Sequence, residues 1–379
     1  MVVRASWCAL AVCLAALPAC QRDDEGATGP GLPGAPTQDR DLSAVAFAPT
    51  SYEFGEPTHF QRMPQPDNNR ATEEGVRLGQ RLFFDPILSR DSTVSCASCH
   101  DPELAFTDGE ALSRGIDGER TRRSSMSLVN VGYQTAFFWD GRSGSLEEQS
   151  LHPVEDPIEM AADWTEVERR LRAHPTYPEA FRAAFGIERS GEVDRALVAR
   201  AIAQFERSIT SYGSEYDRAV FYLDGFLSES AERGLALFMT EPTTEHPGCS
   251  HCHNAPTFSD PDAVTGFRNN GLDATDELDG FADAGRGAVT GNPYDNGKFR
   301  APSLRNVALT APYMHDGRFA TLDEVLDHYA SGGHYSPTVD PQILPFPLDE
   351  QRRADLKAFL HTLTDTAALR RPGVTDPTR

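Results

Sequence analysis

The chain has 379 residues, 39% of them hydrophobic and 9% aromatic, which allows two domains with a core each and argues against a disordered polymer. Its formal charge of −22 argues against nucleic acid as a partner, whose phosphates would be repelled, and suits a fast, salt-sensitive encounter with a basic soluble protein.

The N-terminal stretch MVVRASWCALAVCLAALPAC carries one charge, Arg4, and then an apolar run too short for a comfortable membrane span, the pattern of a secretory signal. Its end, LPAC, resembles the lipobox of bacterial lipoproteins, with cleavage before Cys20 and lipid on that thiol; Gln21 after it points to the outer membrane. The expectation is a signal peptide over 1–19 and a periplasmic protein whose only membrane contact is the anchor at Cys20. Residues 20–50, rich in Gly, Pro, Asp and Thr, read as a flexible tether, with order beginning near YEFGEPTHF.

Helical periodicity then predicts helices at 73–84, 165–173, 178–185, 192–211, 228–239, 321–330 and 349–363. S/T-x-x-E starts stand at 145–148, 165–168 and 321–324. Strand-like alternation is scarce, so the expected class is all-α with long loops. The longest loop, 254–299, contains DATDELDG, which lacks the spacing of a calcium loop and reads as solvated.

Residues 127–148, SLVNVGYQTAFFWDGRSGSLEE, align without gaps on 303–324, SLRNVALTAPYMHDGRFATLDE. A related leucine-rich helix precedes each copy, EEGVRLGQRLFF and SAERGLALFM. The chain therefore reads as two cytochrome c-sized heme domains related by internal duplication, 51–215 and 216–365, followed by a disordered tail over 366–379.

Of seven cysteines, Cys8 and Cys13 leave with the signal and Cys20 is the anchor. The other four form CASCH at 96–100 and CSHCH at 249–253. A four-thiolate zinc site gives no reason for a histidine after each pair, and a thioredoxin-like pair would occur once in a βαβ context. C-x-x-C-H is the c-type heme attachment pattern. Cys96, Cys99, Cys249 and Cys252 would form thioethers to two hemes, with His100 and His253 as proximal iron ligands.

A heme that activates peroxide needs a vacant iron position, whereas an electron carrier has both filled. Between His100 and His152 there is no histidine, and the only methionine is Met126. Extending the internal alignment pairs His152 with His328 and Pro153 with Tyr329. Proline cannot ligate iron and tyrosine can, so the first heme reads as open, while the second has in Tyr329 a residue able to close it. Beyond Pro153, Glu155, Asp156 and Glu159 offer carboxyls that could move a proton between peroxide oxygens.

Taken together, LGQRLFFDPILSRDSTVSCASCH, FFWDGRSGSLEEQ, the EM of 159–160, CSHCH and FRAPSLRNVALTAPYMHDGRFATL resemble the bacterial diheme cytochrome c peroxidase and MauG family, over about 70–363. The resemblance implies peroxide reduction at the N-terminal heme and electron entry through the C-terminal one. By position it makes Glu159 the acid–base residue, Gln149 a distal-pocket amide and Trp139 the tryptophan between the hemes. Two departures stand out. The loop histidine that many of these peroxidases place on the first iron is missing, which implies activity without reductive priming. Tyr329 stands where peroxidases typically carry methionine and MauG carries tyrosine; Met314, His315, His328 and His334 are its rivals. The family's calcium ion has weaker support, since Ser124 replaces the usual asparagine and Thr310 and Pro312 offer carbonyls. Expected partners are hydrogen peroxide and a small electron donor such as a c-type cytochrome or cupredoxin, with a homodimer as in relatives. The alternatives are MauG-like oxidation of residues on a partner protein, and a non-catalytic diheme electron carrier.

Overall fold

The computed structural model describes residues 39–260, 262 and 265–378. The signal over 1–19, Cys20 and the first part of the tether lie outside the described residues. The helices, in chain order, are α1 Glu73–Phe84, α2 Leu146–Gln149, α3 His152–Glu155, α4 Trp164–Ala173, α5 Tyr177–Phe185, α6 Arg195–Ser208, α7 Glu215–Asp217, α8 Glu229–Phe238, α9 Arg286–Thr290, α10 Leu322–Ser331, α11 Glu350–Thr362 and α12 Thr366–Leu369. Every predicted helix is present within a few residues, and six of the seven open on a side-chain cap, α5 being the exception. Thr72 caps α1, Asp194 caps α6, and Thr321 with Glu324 closes a reciprocal capping box on α10. The start read at 165–168 is displaced: Asp163 accepts from the Thr165 and Glu166 amides, so α4 begins at Trp164, which is buried.

Helix α1 crosses α6, and α8 crosses α11. Both crossings are close enough to require glycine: a Cβ on Gly79 would lie 1.9 Å from the Ala201 carbonyl oxygen, and one on Gly234 would lie 1.9 Å from that of Asp355. Around them are three apolar cores. Phe83, Phe106, Leu146 and Phe205 fill the first, Leu82, Leu171, Phe181 and Ile202 the second, and Phe238, Phe258, Leu326 and Phe359 the third. Among the described residues no helix is long and apolar enough to cross a membrane.

The repeated segments share a local backbone turn. Asn130 and Asn306 both adopt left-handed backbone, φ 57° and 60°, a conformation asparagine tolerates better than most residues, and each opens a short 3₁₀ turn. Their side chains grip the connecting chain: Asn130 exchanges hydrogen bonds with the Ser211 backbone, while the Asn306 carbonyl oxygen accepts from the Asp365 amide at 2.7 Å. Arg305, with no exposed surface, forms a two-pronged ion pair with equally buried Asp217 at 2.7 and 2.8 Å.

Three expectations need correction. The loop 254–299 is not wholly irregular: β1 Phe267–Arg268 pairs antiparallel with β2 Phe299–Arg300, so the described residues are helix-rich with one short ribbon. DATDELDG itself is mostly exposed. Packing begins before residue 50, since Leu42 is buried against the second core and Arg40 donates to the His174 and Pro175 carbonyls. The tail over 366–378 is ordered: Leu369 and Val374 enter the first core, and Gln80 donates to the Pro372 and Thr375 carbonyls at 2.9 and 2.7 Å. In both segments a few apolar side chains, averaged out in a polar composition, supply the burial that offsets ordering.

Candidate active site

Cys96–Ser98 and Cys249–His251 are each a single 3₁₀ turn, and each turn brings two thiols and the following histidine onto one cleft. In the first, His100 Nδ1 lies 2.9 Å from the Phe106 carbonyl; in the second, His253 Nδ1 lies 3.2 Å from the Phe258 carbonyl and 3.1 Å from that of Pro302. A carbonyl can only accept, so Nδ1 carries the proton and Nε2 keeps its lone pair for a metal. Burial holds both imidazoles below the ordinary histidine range, and therefore neutral.

The thiols separate the chemistries open to C-x-x-C-H. Burial pushes Cys96 up to about 12, Cys99 to about 11 and Cys249 to about 12, and it raises Cys252 as well. Thiol exchange uses a thiolate, which needs electropositive surroundings. These cysteines have apolar ones, and none is in a disulfide. Two clefts, each with neutral thiols and a neutral imidazole on one wall, fit two covalently attached hemes.

The first cleft gathers Gln149, Pro153 and Glu159 with Cys96, Cys99 and His100. Glu159 is fixed through backbone: its carbonyl accepts from the Ile116 amide at 2.9 Å, and the next carbonyl, of Met160, accepts from Arg90 at 2.9 Å. Burial, reinforced by Asp156 and opposed by Arg142, pushes its carboxyl up to about 7. His152 is exposed, edge-on to Phe138, and does not line the cleft. Met160 lines it but belongs to the second apolar core. Sequence reading missed Glu206 on α6. It is 4% exposed, raised to about 8 chiefly by burial, and its Oε2 is buried without a hydrogen-bond partner against the same cleft. The signal was its spacing of four and eight residues from Ile202 and Val198, which puts an acid on the buried stripe of its helix.

The second cleft gathers Tyr329, Met314, His315 and Trp139 with Cys249, Cys252 and His253. Asn270 Nδ2 lies 3.1 Å from the Tyr329 hydroxyl and 3.5 Å from the Met314 sulfur, so the two rival ligands stand side by side. Burial pushes the Tyr329 phenol up to about 12. His315 stacks on Phe299 with ring centroids 3.8 Å apart. His328 Nε2 is engaged by the Asn270 carbonyl at 2.9 Å, and neither His328 nor His334 lines the cleft. Trp139 Nε1 donates to the Ser124 carbonyl at 2.9 Å, and the next residue, Ser125, bonds the Cys99 carbonyl and approaches His100 Nδ1 at 3.2 Å. The tryptophan thus lines the second cleft one residue from the turn that carries the first. Ser124, Thr310 and Pro312, read as oxygen donors for calcium, line this cleft too, but the Ser124 carbonyl receives Trp139 and its hydroxyl donates to Met314.

Comparison with known proteins agrees with this chemistry. A family model described as di-haem cytochrome c peroxidase matches residues 73–225. The chain is 38% identical over 345 residues to the methylamine utilization protein MauG of Methylorubrum extorquens, covering 89% of this chain and 91% of that protein. It is 34% identical over 309 residues to the cytochrome c551 peroxidase of Nitrosomonas europaea, covering 82% and 84%. A crystal structure of a MauG-like protein associated with microbial copper homeostasis superposes with a TM-score of 0.79 at 38% identity, covering 86% of this chain and all of that one. The chain therefore belongs to the diheme cytochrome c peroxidase and MauG family, and is a peroxidase-type oxidoreductase whose two clefts each suit a covalently bound c-type heme.

Proposed function

We propose that the protein reduces hydrogen peroxide to water at the first cleft, with electrons entering through the second. The observation that carries this is Glu159, a buried carboxyl raised to about 7 in the cleft of Cys96, Cys99 and His100, with Pro153 where a ligand-bearing side chain would close the site. The bound hemes supply electron exchange with peroxide and donor. Glu159, ionised at the start, takes the proton from one peroxide oxygen and returns it to the other, so that the O–O bond breaks with water as the leaving group. Two electrons and two protons then balance one peroxide against two waters. The Gln149 amide orients the substrate, and Trp139 lies between the two clefts as a stepping stone for electrons.

In this reading residues 51–215 form the peroxidatic heme domain and 216–365 the electron-transfer domain, as copies of one unit. The protein works in the periplasm, lipid-anchored at Cys20, and takes electrons from a basic c-type cytochrome or cupredoxin suited to its acidic surface. A second reading keeps the chemistry but oxidises residues on a partner protein. Tyr329 in the second cleft favours it, because an anionic oxygen ligand stabilises ferric iron and disfavours reduction by a conventional cytochrome.

The test is a low-temperature EPR spectrum of the ferric protein as isolated, followed by a donor assay. One high-spin and one low-spin signal, with donor oxidation by peroxide, support the reading. Two low-spin signals make it a carrier, or a peroxidase that needs priming. A high-spin signal without donor oxidation moves the substrate to a partner protein.

A further inference from the structure

Two guanidinium groups line the second cleft, and their surroundings differ. Arg268 and Arg300 lie on the paired strands β1 and β2, opposite Phe299 and Phe267 respectively. Arg268 has its counter-charges beside it, with Nε 3.1 Å from the Asp340 carboxylate and Nη2 3.5 Å from that of Asp260. Arg300 has none. It is 8% exposed, its Nη1 donates to the Ala136 carbonyl, its Nε is buried without a hydrogen-bond partner, and it forms no ion pair among the described residues.

A guanidinium keeps its charge even when buried, and a buried lone charge is costly unless an anion accompanies it. Among the described residues the chain places no such anion at Arg300. We propose that Arg300 is a carboxylate-binding residue of the second cleft, and that its ligand is one of the two propionate groups of the heme attached at Cys249, Cys252 and His253. This rests on the reading of that cleft as a heme site. Arg268 is already balanced, so one free cation meets one incoming carboxylate. The forked donor geometry of a guanidinium suits a carboxylate.

Its anchoring gives the subsite a second role. The Arg300 amide donates to the Trp139 carbonyl at 2.9 Å and its side chain to Ala136, so the segment carrying the tryptophan also holds the guanidinium. A fixed cation beside the heme favours the reduced state, which carries one positive charge fewer. Arg300 therefore raises the potential of the second heme, against the lowering expected of a tyrosine ligand.

The experiment is a spectroelectrochemical titration of the full-length holoprotein and its Arg300→Gln and Arg300→Lys variants across neutral pH. The Gln variant is expected to show a lower midpoint potential for the second heme, now drifting with pH as the unpaired propionate titrates; the first heme stays put, and Lys restores most of the loss. A Gln variant with full heme content and an unchanged, pH-level second potential overturns the assignment. Should the Gln variant fail to fold, the unmodified protein carries the test: a level second-heme potential between about pH 6 and pH 8 supports a paired propionate, and a sloping one overturns it. These potentials are read without peroxide. The expected shifts in a protein that does not turn over peroxide leave the subsite standing and remove the peroxidase reading, whereas a protein lacking the second heme removes both.

Discussion

Trp139 stands edge-on to His315, with ring centroids 6.5 Å apart and planes inclined at 69°, and the two hold the same position in the repeated segments 127–148 and 303–324. Each follows a residue of positive φ, Phe138 at 64° and Met314 at 77°, and each precedes Asp-Gly-Arg. Corresponding points of two similar turns therefore meet, and the tryptophan is the member whose indole N–H reaches Ser124, next to the residue touching the His100 turn. This arrangement, with the raised Glu159 carboxyl and the ion pairs across the chain, leads to four expectations.

Glu159→Gln is expected to slow the reaction with peroxide by about 10²–10⁴-fold while heme content and melting temperature hold. The wild-type carboxyl is raised to about 7, so it is increasingly protonated as pH falls through that value. A base must begin unprotonated, so the wild-type rate falls below about pH 7 and levels off above it. Stopped-flow absorbance against pH checks this, with the inflection absent in the variant.

Asp217→Asn or Arg305→Met leaves one member of a fully buried pair without its partner. Each is expected to destabilise the protein by about 3–5 kcal/mol, with a double apolar replacement recovering much of the loss. Urea unfolding of the two single variants and the double variant measures it.

Removing residues 366–379 strips Leu369 and Val374 from the first core, at about 1.5–3 kcal/mol for each buried side chain, and frees the Gln80 amide. A clear fall in melting temperature is expected. An unchanged melt would mean that the tail does not dock in solution.

Tyr329→Phe and Met314→Leu separate the rival ligands that share Asn270. Tyr329→Phe is expected to convert the low-spin ferric signal of the second heme to high spin, and Met314→Leu to leave it nearly unchanged. The reverse pattern in EPR assigns the methionine.

Local signals made much of this protein legible in its sequence. The spacing of C-x-x-C-H, the caps at Thr72 and Thr321, the apolar periodicity of seven helices and the repeated Asn, Asp-Gly-Arg and Leu all act through neighbours within a few residues. The resemblance to the diheme peroxidase family, carried over by position, brought out Glu159, Gln149 and Trp139. The pairing of Gln80 with Pro372, 292 residues away, was not legible, nor that of Arg305 with Asp217, 88 residues away, nor the docking of 39–50 and of the tail. The buried acid Glu206 and the unpaired Arg300 were also invisible, because a lone Glu or Arg in a string of residues is usually solvated. The sequence by itself determined which groups attach and, within a few residues, where each predicted helix runs. Only the tertiary structure decided which charges lose their water and which find a partner, because desolvation and ion pairing depend on residues brought together from distant parts of the chain.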